Sequence, residues 1–263
     1  MIDYHCHILP GLDDGARNLD ESLEIARILV DSGYTEAHCT PHLIKGCFDN
    51  SKEGIIRATH ELQTALHEKN IPLTLHSGVE YYLDEFFGTY LKDPLVLGGS
   101  TYLLVEAPVQ ASLELVKEHI YAIVRSGYVP LIAHPERYPF LRQNARSSAF
   151  NVQRSVHGFW GNILSRINVE RRTLNTDQDV EHGTSRSDLL RDMGCSYQVN
   201  IGSFTGAYGD DVKKRAIKLL QSNQCDKLGT DAHSPRELKE RLARGLKDIE
   251  REIGEAGLKR LAS

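Results

Sequence analysis

The chain has 263 residues, 40% apolar and 25% charged, with a formal net charge of −5; this is ordinary globular composition, and its mild acidity excludes a broad basic nucleic-acid footprint. No apolar run is long enough to span a bilayer, and the start MIDYHCHI shows neither the basic nor the apolar part of a secretory leader. The five cysteines Cys6, Cys39, Cys47, Cys195 and Cys225, odd in number and without framework spacing, are expected as reduced thiols in a cytoplasmic protein.

In chain order, strands are predicted near 1–7, 36–41, 73–80, 102–106, 129–134, 197–201 and 226–231. The first helix carries Leu19, Leu23, Ala26 and Val30 on one stripe, with Asn18 and Glu21 as a capping box and Gly33 as its stop. Further helices are predicted over 51–69, 112–126, 210–222 and 235–256. Strands alternating with helices argue for a parallel sheet with helical crossovers. About seven such units suggest a closed or nearly closed (β/α) barrel, with an open doubly wound sheet as the alternative. Residues 143–186 break the rhythm: they are rich in Arg, Asn, Ser and Thr and carry little periodic apolar content. They read as a surface excursion that supplies no metal ligand, although His157 and His182 lie in it.

Strand alternation predicts Asp3, His5 and His7 on one face and Cys6 on the other. Two imidazoles at that spacing suit a single divalent ion. Later strands end in the same residue types: His42, Glu80, Glu106 and His134, then Asp231 and His233 on the last. In a parallel barrel such ends converge on one face, and buried charges at this density need metal or mutual pairing. The mixed imidazole and carboxylate set suits manganese, iron or zinc and is too large for one ion. Glu80 or Glu106 is placed to bridge two, and Asp13-Asp14-Gly15 offers a further carboxylate. Two or three neighbouring ions clamp a phosphoryl group and generate hydroxide near neutral pH. Arg137 and Arg236 follow ligand positions closely, and a guanidinium there grips phosphate in bidentate fashion. A thiolate phosphatase needs Arg six residues after its Cys; here that step reaches Leu12, Lys45, Glu53, Ile201 and Asp231. Neither a Walker-type phosphate loop nor a GxSxG elbow is present.

The segments MIDYHCHILPGLDDGA, CTPHL, GVEYYL, LLVEAP, LIAHPERYPFL, YQVNIGSFTG and GTDAHS together resemble the PHP (polymerase and histidinol phosphatase) superfamily. The likeness is closest to the bacterial manganese-dependent tyrosine-protein phosphatases of capsule and exopolysaccharide clusters. It covers Met1 to about Ala256 and lapses over roughly 145–186, so a single PHP domain, 1–263, with a family-atypical insertion at about 145–186 is expected. The resemblance implies a distorted (β/α)7 TIM-like barrel holding two or three divalent ions, Mn2+ first, with Fe or Zn as alternatives. Carried over by motif, the ligands are His5, His7, Asp14, His42, Glu80, Glu106, His134, Asp231 and His233. Arg137 matches the arginine of the HPER segment, and Arg236 is the nearest candidate for a second arginine, on a shorter loop than the family's usual one. Asp3 is implied to orient a ligand histidine. The implied reaction is phosphotyrosine hydrolysis by metal-hydroxide attack, and the implied partner is the phosphorylated C-terminal tyrosine tail of a polysaccharide-export tyrosine kinase. A histidinol-phosphate-like small-molecule phosphatase, an amidohydrolase-like hydrolase and a non-enzymatic module with a structural metal are the rival readings.

Overall fold

Every strand pairing is parallel in the computed structural model, which describes residues 1–141 and 185–261. The first half of the chain runs β1 (Ile2–Cys6), α1 (Leu19–Asp31), β2 (Glu36–Cys39), β3 (His42–Leu43), α2 (Lys52–Glu68), β4 (Thr74–Ser77), β5 (Glu80–Tyr82), α3 (Phe87–Tyr90), β6 (Tyr102–Glu106), α4 (Leu113–Arg125) and β7 (Val129–Ala133). After the undescribed stretch come α5 (Arg186–Asp192), β8 (Ser196–Asn200), α6 (Ile201–Phe204), α7 (Asp210–Gln221), β9 (Lys227–Gly229) and α8 (Leu238–Leu261). The insertion predicted at about 145–186, with His157 and His182, lies outside the described residues except for its last two positions. Among the described residues no helix is long and apolar enough to cross a membrane.

Where two strands were predicted, at 36–41 and 73–80, the structure has two pairs of shorter strands. The run 36–41 ends as β2 at Cys39, before Thr40-Pro41, where proline lacks the donor a ladder needs, and β3 follows just past its predicted bound; 73–80 breaks at Gly78-Val79 into β4 and β5, the latter running on to Tyr82. The leading halves form a sheet β1-β2-β4, and the trailing halves join the rest as β3-β5-β6-β7-β8-β9. Beyond β9 the chain returns to β1: Asp231 N–H donates to the His5 carbonyl at 2.8 Å, and His7 N–H donates to the Ala232 carbonyl at 3.1 Å. The parallel strands therefore curl into a distorted barrel, and the open-sheet alternative falls.

Strand β1 departs from simple alternation. Asp3 pairs with Ala37 and Cys6 with Cys39, so three steps on β1 face two on β2. This bulge puts Asp3 and Cys6 on the helix side, where Cys6, Ala37 and Cys39 belong to the main apolar core. Tyr4 turns inward to a smaller cluster with Leu97, Leu104, Leu131 and Ala133, on the side of β6 that also carries Glu106. The expectation that Asp3 shares a face with His5 and His7 is thus overturned.

Three helices begin at side-chain caps: Asn18, the one predicted, accepts from Glu21 N–H, and Ser51 and Ser112 accept from Gly54 and Leu115 N–H. Only half of the predicted box at α1 forms, because the Glu21 carboxylate turns back to the Arg17 side chain and N–H. Helices α3, α5 and α6 are too short to show a period in the sequence. Helix α8 runs past the predicted 256, with Gly254 at φ 72 interrupting it.

Candidate metal centre

The site is assembled from strand ends whose imidazoles are anchored from behind. His5 Nδ1 lies 2.7 Å from Gln198 Oε1, and His7 Nδ1 lies 2.7 Å from Asp13 Oδ2. With both Nδ1 atoms engaged, the two Nε2 atoms meet 2.9 Å apart. Between them sits Glu80 Oε2, at 3.1 Å from His5, 3.3 Å from His7 and 3.1 Å from His42 Nδ1. The β3–β5 register explains the last contact, since His42 and Glu80 are direct partners. Asp231 Oδ1 approaches His5 and His7 at 3.5 and 3.4 Å and His233 Nδ1 at 3.5 Å. Asp14 Oδ1 stands 3.7 Å from His42 Nε2 and 3.4 Å from His233 Nε2. His134 Nε2 closes the ring at 3.1 Å from Glu80 Oε1 and 3.7 Å from Glu106 Oε1. Every ligand named from sequence is therefore in one cluster.

The cluster divides into overlapping donor sets. His7, Asp14, His42 and His233 form one, His5, His7 and Glu80 another, and His42, Glu80 and Glu106 a third, each with donor atoms within 4.8 Å of one another. His7, His42 and Glu80 belong to two sets each, as donors shared by neighbouring cations do. The donor chemistry fits divalent cations that accept both nitrogen and oxygen. A second observation points the same way: the buried His42 Nδ1 and Glu80 Oε2 face each other at 3.1 Å without hydrogen-bond geometry, and His134 Nδ1 also lacks a partner. Two ligand positions take left-handed backbone, His134 at φ 35 and Asp231 at φ 52, a conformation that non-glycine residues keep mainly where function demands it.

The electrostatics are those of a crowded, buried site. Burial works against ionising Glu80 and Asp231, yet the neighbouring imidazoles, His5 first, hold both carboxyls well below their usual range. Burial and then the charge of Glu80 push Glu106 up to about 8. Burial keeps His42 and His134 low.

Several supporting residues fall in the segments that carry the family resemblance but were not themselves named as site residues. Asn200 Nδ2 donates to Asp231 Oδ2 at 2.7 Å, and Gln198 Nε2 donates to Asn200 Oδ1 at 2.8 Å. One amide chain thus links His5 to Asp231 across β8. Alternation on β8 puts both amides on the inner face, a signal available only once that strand was placed beside the site. Asp13, not only Asp14, serves the centre: it fixes the His7 ring and accepts from the N–H of His42 and Gly15, both at 2.9 Å. Asp3 accepts from Thr230 N–H at 2.9 Å, Thr230 Oγ1 at 2.6 Å and the His5 N–H at 3.2 Å. It pins β9 to β1 and holds His5 through that residue's backbone N–H. Cys6 is buried in the outer core, where burial raises its thiol well above the ordinary range.

Arg137 lies over this centre. Its Nη2 donates to Asp231 Oδ2 at 2.8 Å, its guanidinium carbon sits 3.9 Å from the centroid of the Tyr208 ring, and its buried Nε has no partner. Arg236 reaches the same cavity from the rim, 87% exposed and 3.8 Å from Glu237. That cavity, about 350 Å³, is lined by Arg137, Tyr208, His233, Ser234, Arg236 and Arg241. Tyr208 and Arg241 were not legible as site residues.

Known proteins place this geometry. The chain is 27% identical to the tyrosine-protein phosphatase YwqE of Bacillus subtilis (strain 168) over 97% of its length and 85% of the relative's. It is 26% identical to the tyrosine-protein phosphatase CpsB of Streptococcus pneumoniae, over 89% of this chain and 83% of that one. Among solved structures, one from the work on YwqE and CpsB, described as unique metal-dependent tyrosine phosphatases, superposes with a TM-score of 0.77 at 26% identity, covering 99% of this chain and 91% of that one. The histidinol phosphate phosphatase of Lactococcus lactis, solved with zinc, L-histidinol and phosphate, shares the fold, with a TM-score of 0.52 at 13% identity over 96% of this chain and 93% of that one. The profile of the capsular polysaccharide synthesis family CpsB/CapC matches residues 1–156 and 167–263, and the chain, with a cluster of imidazoles and carboxylates where its strands converge, belongs to that family.

Proposed function

We propose that this chain is a metal-dependent protein-tyrosine phosphatase. The observation that carries the reading is the convergence of His5, His7, Asp14, His42, Glu80, Glu106, His134, Asp231 and His233 into overlapping donor sets directly beside Arg137. Those residues would hold two or three divalent ions, of which Mn2+ suits the mixed donors, with Fe or Zn as alternatives. When bound, such ions supply Lewis-acid charge to phosphate oxygens and a more acidic water. The protein's own part is positional. Gln198 and Asp13 aim two imidazoles, and Asn200 with Arg137 occupies one oxygen of Asp231, leaving Oδ1 toward the histidines. Arg137 retains an unpartnered Nε for a phosphate oxygen, and Arg236 adds cationic charge at the rim. The named activity of YwqE and CpsB supports phosphotyrosine as the group hydrolysed. Within a capsular synthesis family, the phosphorylated C-terminal tail of a cytoplasmic-facing export kinase is the substrate we favour. All five cysteines are free, in keeping with a cytoplasmic setting.

The test is turnover on a phosphotyrosine peptide and on histidinol phosphate, before and after chelation and after adding back manganese, zinc or iron. We expect chelation to abolish peptide hydrolysis and manganese to restore it. Full activity of the metal-free protein, or a preference for histidinol phosphate, ends the reading.

A further inference from the structure

Beyond Arg137 the cavity wall continues through Tyr208 to Arg241. Tyr208 neighbours two arginines: its ring carries the Arg137 guanidinium at 3.9 Å, and it lies with Arg241 against Gly202. A Cβ at Gly202 would stand 3.0 Å from Arg241 Cδ and 3.3 Å from Tyr208 Cε2, so the bare glycine lets both side chains settle on α6. The turn that presents Tyr208 is closed by Gly209 N–H donating to the Gly206 carbonyl at 2.9 Å, with positive φ at both glycines. A second cavity, about 330 Å³, shares Arg241 with the first and continues to Thr205 and Arg244, with Glu237 and Glu240 also in its wall. Arg241 and Arg244 are three apart on α8 and share a side of that helix.

The two arginines that flank Tyr208 differ in their partners. Arg137 is spoken for by Asp231 and faces the metal centre. Arg241 is half-buried, and among the described residues its guanidinium makes no ion pair or hydrogen bond. Nearby Glu237 is engaged by Arg236. A half-buried guanidinium without a carboxylate, beside a reactive pocket of a chain with net charge −5, is suited to a ligand that brings the charge itself, through a planar fork that fits carboxylate and phosphate alike.

We infer that Arg241 forms a second anion subsite, which receives the carboxylate or phosphate of a residue flanking the phosphotyrosine; this rests on the phosphatase reading above. The enzyme would then select peptides carrying an acidic or second phosphorylated residue near the scissile group, with the gain appearing mainly in KM.

The experiment uses the manganese-loaded full chain and a set of phosphotyrosine peptides in which each flanking position in turn carries Gln, Glu, Lys or phosphoserine. The readout is the ratio of kcat/KM between peptides that differ in that one residue, so a general loss of rate cancels. For the wild type we expect Glu and phosphoserine to exceed Gln at one or two positions by on the order of fivefold, less at high salt. Arg241→Gln should bring the ratio to one, and Arg241→Glu should invert it in favour of Lys. Metal content and melting temperature are measured on each preparation, and the milder Gln variant decides the matter where Glu does not fold. A wild type indifferent to flanking charge overturns the inference, as does a ratio that survives both substitutions while overall rate falls, which would assign Arg241 to the common phosphate. A wild type that hydrolyses no phosphotyrosine peptide overturns the phosphatase reading itself and this inference with it.

Discussion

At the scale of single residues, orientation decides what each donor does. An imidazole offers two nitrogens, and the partner of one dictates the use of the other. Gln198 on His5 and Asp13 on His7 leave both Nε2 atoms at one point. Arg137 cannot be a ligand, since guanidinium has no lone pair to give, and its place over Asp231 beside the cluster is the one the proposed phosphate-holding role needs. Arg137→Ala should keep its metals and lower turnover on phosphotyrosine by on the order of a hundredfold or more. Arg137→Lys should recover little, because a point charge does not replace a fork. Steady-state kinetics with metal analysis on the same preparation checks this. Near-wild-type turnover per metallated molecule would reduce Arg137 to a loop tether.

At the scale of elements, short strands and tight loops bring distant donors together. The loop after β1 works only because residue 15 is glycine: a Cβ there would lie 2.2 Å from the His7 carbonyl oxygen. Strand β2 contributes His38, which stacks on Tyr4 and meets His76 at a tilt, each at 5.1 Å between ring centroids. Glu36 pairs with His76 at 2.8 Å, and Lys227 meets the Tyr4 hydroxyl at 2.8 Å. Burial first, and then His76, lowers the His38 pKa from 6.5 to about 4. The folded state thus binds this proton more weakly than the unfolded chain. The neutral ring contributes its full stability above pH 6.5, and that contribution is lost as pH falls from 6.5 toward 4. The drop corresponds to roughly 3 kcal/mol as an upper bound. Melting curves of the wild type and His38→Gln between those limits should converge as the pH falls, the variant losing less. A constant gap between the two curves would show that His38 does not titrate in this way.

At the scale of the whole molecule, the barrel spends its closure on a cluster of charge. Glu80 is fully buried and Asp231 is 5% exposed, both among imidazoles, and buried charges are costly unless paired or coordinated. Cations that bind the folded chain and not the unfolded one should stabilise it by mass action, about 2.7 kcal/mol at a hundredfold excess over Kd. We expect chelation to lower the melting temperature by several degrees and manganese to restore it. Reductant should change nothing, since no disulfide exists. An unchanged melting temperature after verified metal removal would mean the cluster is satisfied by its own ion pairs.

The sequence by itself determined the alternation of strands and helices, the Asn18 cap and the ligand types at the strand ends. These are local: caps lie within three residues, ligand segments within a handful, and periodicity is read over a single element. The ligand segments were also distinctive enough to carry a family resemblance. Only the tertiary structure decided what depends on register and approach between distant segments. The β1 bulge sent Asp3 to the helix side because Cys6, and not its neighbour, pairs with Cys39. Two predicted strands split because their halves joined different sheets. Gln198 and Asn200 became supports because only β9 separates β8 from β1 and Gly229 leaves room for Gln198 to reach His5, and Tyr208 and Arg241 became cavity walls because Gly202 leaves room for both. Their residue types are those of ordinary surface or core positions, and although Gln198 and Asn200 lie in a segment that carries the resemblance, pairing across long separations along the chain gives all of them their roles.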